Sequence, residues 1–371
     1  MTAQITFFAH DVSDATTARR VRMLRLGGAD VRLFGFHRSA TPVAEVEGVP
    51  VVDLGQTVGG RLGARCIQVV RNLFRTGAWK DIVAASDVLL ARSLEMATIA
   101  DTARLRARSK ARLAYECLDI HSYQLGTHLA AKAVRRLEQS ILKRSHSLVT
   151  SSPSFVAHYF DRLGIKLPDI ILVENKRVME TVKRPCYVAE ERRSPWRIGW
   201  FGILRCVRSF EILRDLAQTH PDLVDITLRG RPTRTMASML EGQLPLNMRF
   251  EGPYTEADLA RMYSTCDFVW AVEFAGENPQ NARWALGNRL YEGGFYNTPV
   301  IALSGTAMGE WLEARQTGVR LTESCSELAG FLAELTSSNY HFLRRQSAQV
   351  RTDDLVCTLD ECRLLVRRLT R

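Results

Sequence analysis

The chain has 371 residues, 46% of them apolar and 24% charged, enough to bury two or three domain cores. No run approaches the roughly 18 apolar residues of a membrane-spanning helix, which excludes an integral helical membrane protein. The eight cysteines are scattered with no C-x-x-C pair, which excludes a disulfide frame or a zinc site and reads as reduced core residues of a cytoplasmic protein.

The net charge is +10 and it is unevenly placed. Residues 1–180 carry 26 Lys/Arg against 17 Asp/Glu, while residues 181–371 carry 24 against 23. A basic first half suggests an anionic partner surface: lipid head groups, phosphate-linked acceptors or nucleic acid.

Gln4–Phe8 reads as a first strand that starts almost at once, which leaves no room for a signal peptide. It ends in His10-Asp11, and a helix follows through Ala18–Leu24. Val31–Phe36 and Val49–Asp53 are the next strands, so the opening is a βαβ unit. Arg61–Lys80 interleaves apolar residues with five basic ones and has no acidic residue. Such a helix, with a Phe and a Trp, lies either on an anionic membrane or against the core with its arginines reaching outward.

Strand and helix then alternate: Asp87–Ala91, the helix Leu94–Leu105, Leu113–Cys117, the helix Leu129–Lys143, Ser147–Thr150, the helix Ser152–Phe160 and Ile170–Val173. Lys183–Pro195 is polar and carries two prolines, and it reads as a linker. The alternation restarts with Arg197–Gly202, the helix Phe210–Ala217, Asp225–Gly230, Arg249–Gly252, the helix Thr255–Tyr263 and Asp267–Trp270. The expected division is 1–182, a linker 183–195, and 196–371, with the last helix able to return to the first domain. The fold class is α/β: two doubly wound Rossmann-like domains facing across a cleft, which is the default ligand site.

Asn281–Leu303 (NARWALGNRLYEGGFYNTPVIAL) is the organising stretch. It reads as a loop, then a short helix starting at Asn288, then a Gly/Asn/Pro turn and a buried strand. The helix start offers N–H groups to a pyrophosphate. Glu292, one turn in, suits a ribose diol.

Six segments, in order, resemble the GT-B glycosyltransferases of glycosyltransferase family 4. They are IGWFGILR, LRGR, MRFEGPYTEADLARMYSTCDFVW and NRLYEGGFYNTPVIA in the second half, preceded by RRLEQSILKRSHSLVTSSPSF and LVENK in the first. The HD-x-x-x-x-T start and the NRLYE helix are similar to bacterial exopolysaccharide enzymes of the succinoglycan type. The resemblance implies a nucleotide-sugar donor, UDP-linked by preference, bound by the second half. It implies a lipid-linked oligosaccharide acceptor on the first half, at the inner membrane face, and a transfer with retention. Donor-site residues by this resemblance are Gly202, Arg205, Arg208, Gly230, Asn288, Arg289 and Glu292, with Asn281 and Trp284 beside the sugar.

One departure stands out. The family often pairs two glutamates eight apart, and the first would fall on Trp284. Retention and inversion therefore both stay open. On the acceptor side His10, Asp11, Asp119 and His121 lie where strands end; in an inverting reaction Asp119 or Asp11 would be the base. The chain has no D-x-D motif and no His/Cys cluster, so no metal or other cofactor is expected, and arginines must hold the leaving diphosphate. Two other readings are a nucleotide-sugar epimerase of the same fold and a non-catalytic scaffold. No recognised nucleic-acid module is present.

Overall fold

The computed structural model describes residues 2–57, 62–274 and 279–371. The chain forms two compact units. Unit 1 is Met1–Glu174, Val178–Glu180 and Cys357–Arg371; unit 2 is Asn175–Arg177 and Thr181–Val356.

Unit 1 is built on β1 (Gln4–Ala9), β2 (Asp30–His37), β3 (Glu45–Val46), β4 (Val49–Gln56), β5 (Val88–Arg92), β6 (Arg112–Cys117), β7 (Ser147–Thr150) and β8 (Asp169–Leu172). The sheet order is β3-β4-β2-β1-β5-β6-β7-β8, parallel except for the β3–β4 pair. β5 and most of β1 and β6 are buried, as expected for strands covered on both faces. The covering helices include α1 (Ala15–Leu26), α2 (Leu62–Arg75), α3 (Leu94–Arg106) and α4 (Leu129–Arg144). Chain direction across the sheet reverses between β1 and β5, so the switch point of this unit lies at the ends of those two strands.

Arg61 of the basic segment lies outside the described residues. The rest is not one helix. α2 stops at Arg75, a 3-10 turn covers Thr76–Trp79, and a short helix follows. Trp79 is not an interfacial residue. It is buried, with its ring 5.2 Å from Phe34 and 6.3 Å from Phe8. Ile67, Val70 and Phe74 face solvent instead, Phe74 at 77% exposure.

Unit 2 contains β9 (Trp196–Leu204), α5 (Val207–Thr219), β10 (Val224–Pro232), β11 (Met248–Phe250), β12 (Phe268–Trp270), α6 (Asn288–Phe295), β13 (Val300–Leu303), β14 (Gly318–Leu321) and α7 (Ser337–Gln349). Its sheet is parallel in the order β11-β10-β9-β12-β13-β14, and the switch point lies between β9 and β12. A last helix, α8 (Leu359–Thr370), belongs to unit 1, where Cys362 and Val366 pack at Gly27 beyond the end of α1.

Lys183–Pro195 has no regular structure, yet it is pinned to unit 2. Arg184 uses all five guanidinium N–H groups on carbonyls. It donates to Gly294 (2.7 Å) and Phe295 (3.2 Å) at the end of α6, and to Ser347 (2.5 Å), Ala348 (3.1 Å) and Val350 (2.5 Å) at the end of α7. One cation thus satisfies the orphan carbonyls of two helix C-termini and faces their negative ends. Arg192 forks onto the buried Asp267 at 2.5–2.9 Å, and Arg197 pairs with the same carboxylate at 3.0 Å.

Candidate active site

The unit 2 site begins where β9 ends. Gly202 and Gly230 are register partners, with φ of +105° and +142°. A Cβ on Gly230 would sit 1.8 Å from the Gly202 carbonyl oxygen, so only glycine lets these backbones approach. Above Gly202 the nearest atom to such a Cβ is the Tyr254 hydroxyl at 3.9 Å, which leaves open space beside a strand end.

β9 runs into Arg205, and α5 starts after Cys206 with no side-chain cap and no acidic residue in its first turn. Its first N–H groups therefore remain available to an anion. Ser209 Oγ donates to the Val272 carbonyl (2.9 Å), which ties this turn to the loop after β12. That loop carries Glu273. Arg205 Nε bonds Glu273 Oε1, and Arg289 Nη2 lies 3.6 Å from Glu273 Oε2. Burial pushes the Glu273 carboxyl up; the Arg205 hydrogen bond and the charges of Arg289 and Arg205 outweigh it and hold the group below its usual range. Two guanidiniums thus flank one carboxylate at the switch point. They are poised to exchange it for a phosphate.

α6 supplies Arg289 and Glu292. Its cap is Gly287, one residue before the expected start, so Asn288 is the first helical residue and is exposed. Tyr263 O–H donates to Glu292 Oε2 at 2.6 Å. Burial and the Glu292 charge raise the Tyr263 hydroxyl well above 10, and the same pair of causes takes Tyr254 to about 12. Both phenols therefore stay protonated donors around one carboxylate. The two glycines after Glu292 seat the helix: a Cβ on Gly293 would meet Val300 Cγ2 at 2.6 Å.

The structure brings together Gly202, Arg205, Gly230, Arg289 and Glu292. Arg208 lies in the first turn of α5, where its guanidinium stacks over Phe274 at 4.2 Å and donates to the Glu323 carbonyl (2.6 Å). Asn281 and Trp284 are in a short helix, Pro279–Trp284, where a loop was expected, and both are half-buried. Glu273, Tyr254 and Tyr263 were missed by the sequence reading. The signal for Glu273 was its place three residues past the buried DFVW strand.

In unit 1, His10 follows β1, and burial with the nearby Arg92 guanidinium lowers its imidazole to about 4. Asp11 is committed to local structure: it accepts from the Ser13 N–H (2.9 Å) and pairs with Arg38 (3.2 Å). Asp119 is exposed just beyond β6. His121 is lowered by burial and by Arg65, which also acts on His10 and feels Asp11. Arg65 is therefore the shared neighbour of His10, Asp11 and His121. Among the described residues no group of three or more His, Cys, Asp or Glu is placed to hold a metal ion, and no helix is long and apolar enough to cross a membrane.

Two doubly wound, mainly parallel sheets, each with its switch point, and two arginines flanking a carboxylate beside the Glu292 helix are the architecture of the GT-B glycosyltransferase class. Solved structures agree in fold. The chain superposes on Anabaena Alr3699/HepE in complex with UDP and glucose with a TM-score of 0.70, at 16% identity over 98% of both chains. It superposes on sucrose-phosphate synthase from Thermosynechococcus elongatus with a TM-score of 0.73, at 14% identity over 99% of this chain and 98% of that one. No family model matches. The chain is 37% identical to the succinoglycan biosynthesis protein ExoL of Rhizobium meliloti strain 1021, over 99% of this chain and 93% of the relative, and it belongs to that protein's family.

Proposed function

We propose that the protein transfers a sugar from a UDP-sugar, held by unit 2, to a lipid-linked oligosaccharide held by unit 1, in exopolysaccharide synthesis. The observation that carries this is the Arg205–Glu273–Arg289 constellation at the unit 2 switch point, next to Glu292 on α6. Arg205, Arg289 and the start of α5 take the donor diphosphate and hold the charge that grows on it as the sugar leaves, without a metal ion. Glu292, oriented by Tyr263, accepts from the ribose hydroxyls. Asp11 is engaged with Arg38 and so is poorly placed to serve as an inverting base; this reading takes retention as the outcome, with His10, Asp119 and His121 positioning the acceptor.

Binding and hydrolysis across a panel of UDP-, GDP- and dTDP-sugars test this reading. Saturable binding of one nucleotide is expected, weakened about tenfold or more in Glu292→Ala and in Arg205→Ala. Unchanged affinity in both variants would sink it.

The same reading places the enzyme on the cytoplasmic membrane face through α2. Ile67, Val70 and Phe74 are exposed at 70%, 51% and 77%, beside the exposed Arg71 and Arg75, which is apolar area with the charge to meet anionic lipid. In flotation with anionic vesicles the wild type rises and an Ile67→Ser, Phe74→Ser double variant stays behind. A wild type that never floats would remove the membrane from the reading.

A further inference from the structure

The carboxyl edge of unit 1 holds polar groups that the fold leaves unmatched. Arg20 Nε and Arg92 Nε bond opposite oxygens of Glu116 at 2.6 and 2.5 Å, with all three side chains at 5% exposure or less. Two buried guanidiniums share one carboxylate, so this cluster carries one positive charge in excess. A buried excess charge is costly unless another partner meets it.

Arg92 ends β5, and the next residue, Ser93, has φ +83° and ψ +159°. That is a region populated almost only by glycine, and a residue held there stores strain. Ser93 opens α3, yet its Oγ caps no N–H and has no hydrogen-bond partner among the described residues, although the atom is buried. Its backbone is fixed on both sides: its N–H donates to the Glu116 carbonyl (2.9 Å), and its own carbonyl accepts from Ala97 (3.0 Å). The backbone thus holds the conformation while the hydroxyl takes no part in it. His10 follows the neighbouring strand: Phe8 and Ala91 are register partners, His10 and Ser93 each lie two residues beyond, and Arg92 acts on the His10 ring. Among the described residues His10 Nδ1 is also buried without a hydrogen-bond partner.

We propose that Ser93 Oγ, His10 Nδ1 and the excess charge at Arg92 form an oxyanion subsite in unit 1, which takes a phosphate group of the acceptor. The identity of the ligand as acceptor rests on the glycosyl-transfer reading; the subsite does not. The groups facing His10 are Arg92, Asp14, Arg65 and Arg38, and Arg38 and Arg65 are paired with Asp11 and Glu95. A bound oxyanion counters the field that keeps the imidazole neutral, so binding draws a proton onto His10.

The test is histidine-labelled NMR of the full chain with pyrophosphate as probe, UDP being present at saturation to occupy unit 2. The His10 imidazole signal is expected to move saturably and its titration to shift upward. Ser93→Gly relieves the strain and removes the hydroxyl. Its Tm should rise by about 2–4 °C while pyrophosphate binding weakens about tenfold. A His10 signal indifferent to pyrophosphate overturns the subsite, as does a stabilised Ser93→Gly that binds like wild type. A polyprenyl diphosphate in detergent that binds more than tenfold tighter than pyrophosphate supports the acceptor as the source, and equal affinities overturn that assignment. Failure of every nucleotide sugar to bind would count against the function proposed for unit 2 and leave the His10 result standing.

Discussion

Each unit places one carboxylate between two arginines near its switch point, and the two constellations differ in burial. In unit 1 Glu116 is fully buried between Arg20 and Arg92, all three within a few per cent of complete burial. In unit 2 Glu273 is 18% exposed, and its partner Arg205 is 58% exposed. The same three charges make a locked structural group in one case and an exchangeable one in the other. In the dry case each cation has surrendered its water, and one shared carboxylate is the only charge that replaces it, helped at Arg92 by the Thr16 hydroxyl (2.9 Å). In the wet case solvent and salt screen the pair, and a phosphate can displace the carboxylate at little cost.

The largest effect should come from breaking the dry constellation. Glu116→Ala strands two buried guanidiniums, and loss of one partner of a buried pair costs about 3–5 kcal/mol. A urea titration of the variant should show a midpoint far below that of wild type. A loss under about 1 kcal/mol would mean that the two triads do not differ in the way their burial implies.

A second, smaller effect follows from the same locked field. His10 is pulled down to about 4 by burial and by Arg92, against 6.5 when unfolded. Between those values the unfolded chain binds the more protons, so stability rises with pH across the window. The contribution is fully present above pH 6.5 and is lost as pH falls toward about 4, by at most about 3 kcal/mol. Urea midpoints measured at pH 7 and 4.5 should separate for wild type and converge for His10→Gln, apart from the shared acid effect of other groups. Parallel slopes in the two proteins would show that burial and Arg92 do not hold His10 low.

The alternation of strands and helices was readable because parallel strands buried on both faces are short β-branched runs and the helices between them are not. Ser147–Thr150 is placed as read, and Leu94–Arg106 exceeds its expected span by one residue. Asn281–Trp284 was read as a loop and lies wholly in a short helix, since its Trp and Asn gave no periodic signal over so few residues. Long-range pairing was not legible at all. Nothing local says that Arg184, in a segment with every mark of a linker, gathers five carbonyls from two helix ends, or that Arg208 stacks on Phe274 while Arg289 turns to Glu273. Gly202, Gly230 and Glu292 stood out in the sequence because their placement is set by backbone geometry near in sequence. Glu273 and Ser93 were missed because their roles depend on what a neighbouring strand brings beside them.

The open constellation gives the smallest and most discriminating change. In the absence of a donor Glu273 neutralises Arg205 and lies within 3.6 Å of Arg289, so it competes with any incoming phosphate. Glu273→Gln keeps the shape and removes the competing charge. Stability should change by less than about 1 kcal/mol, as for other exposed pairs. UDP affinity should rise by about two- to fivefold, with a weaker dependence on competing anions, as calorimetry at two chloride concentrations would record. The sign decides the matter. Weaker binding would make Glu273 a holder of the two arginines, the role Glu116 has in unit 1, and the contrast between the two units would then lie in burial alone and not in what the carboxylate does.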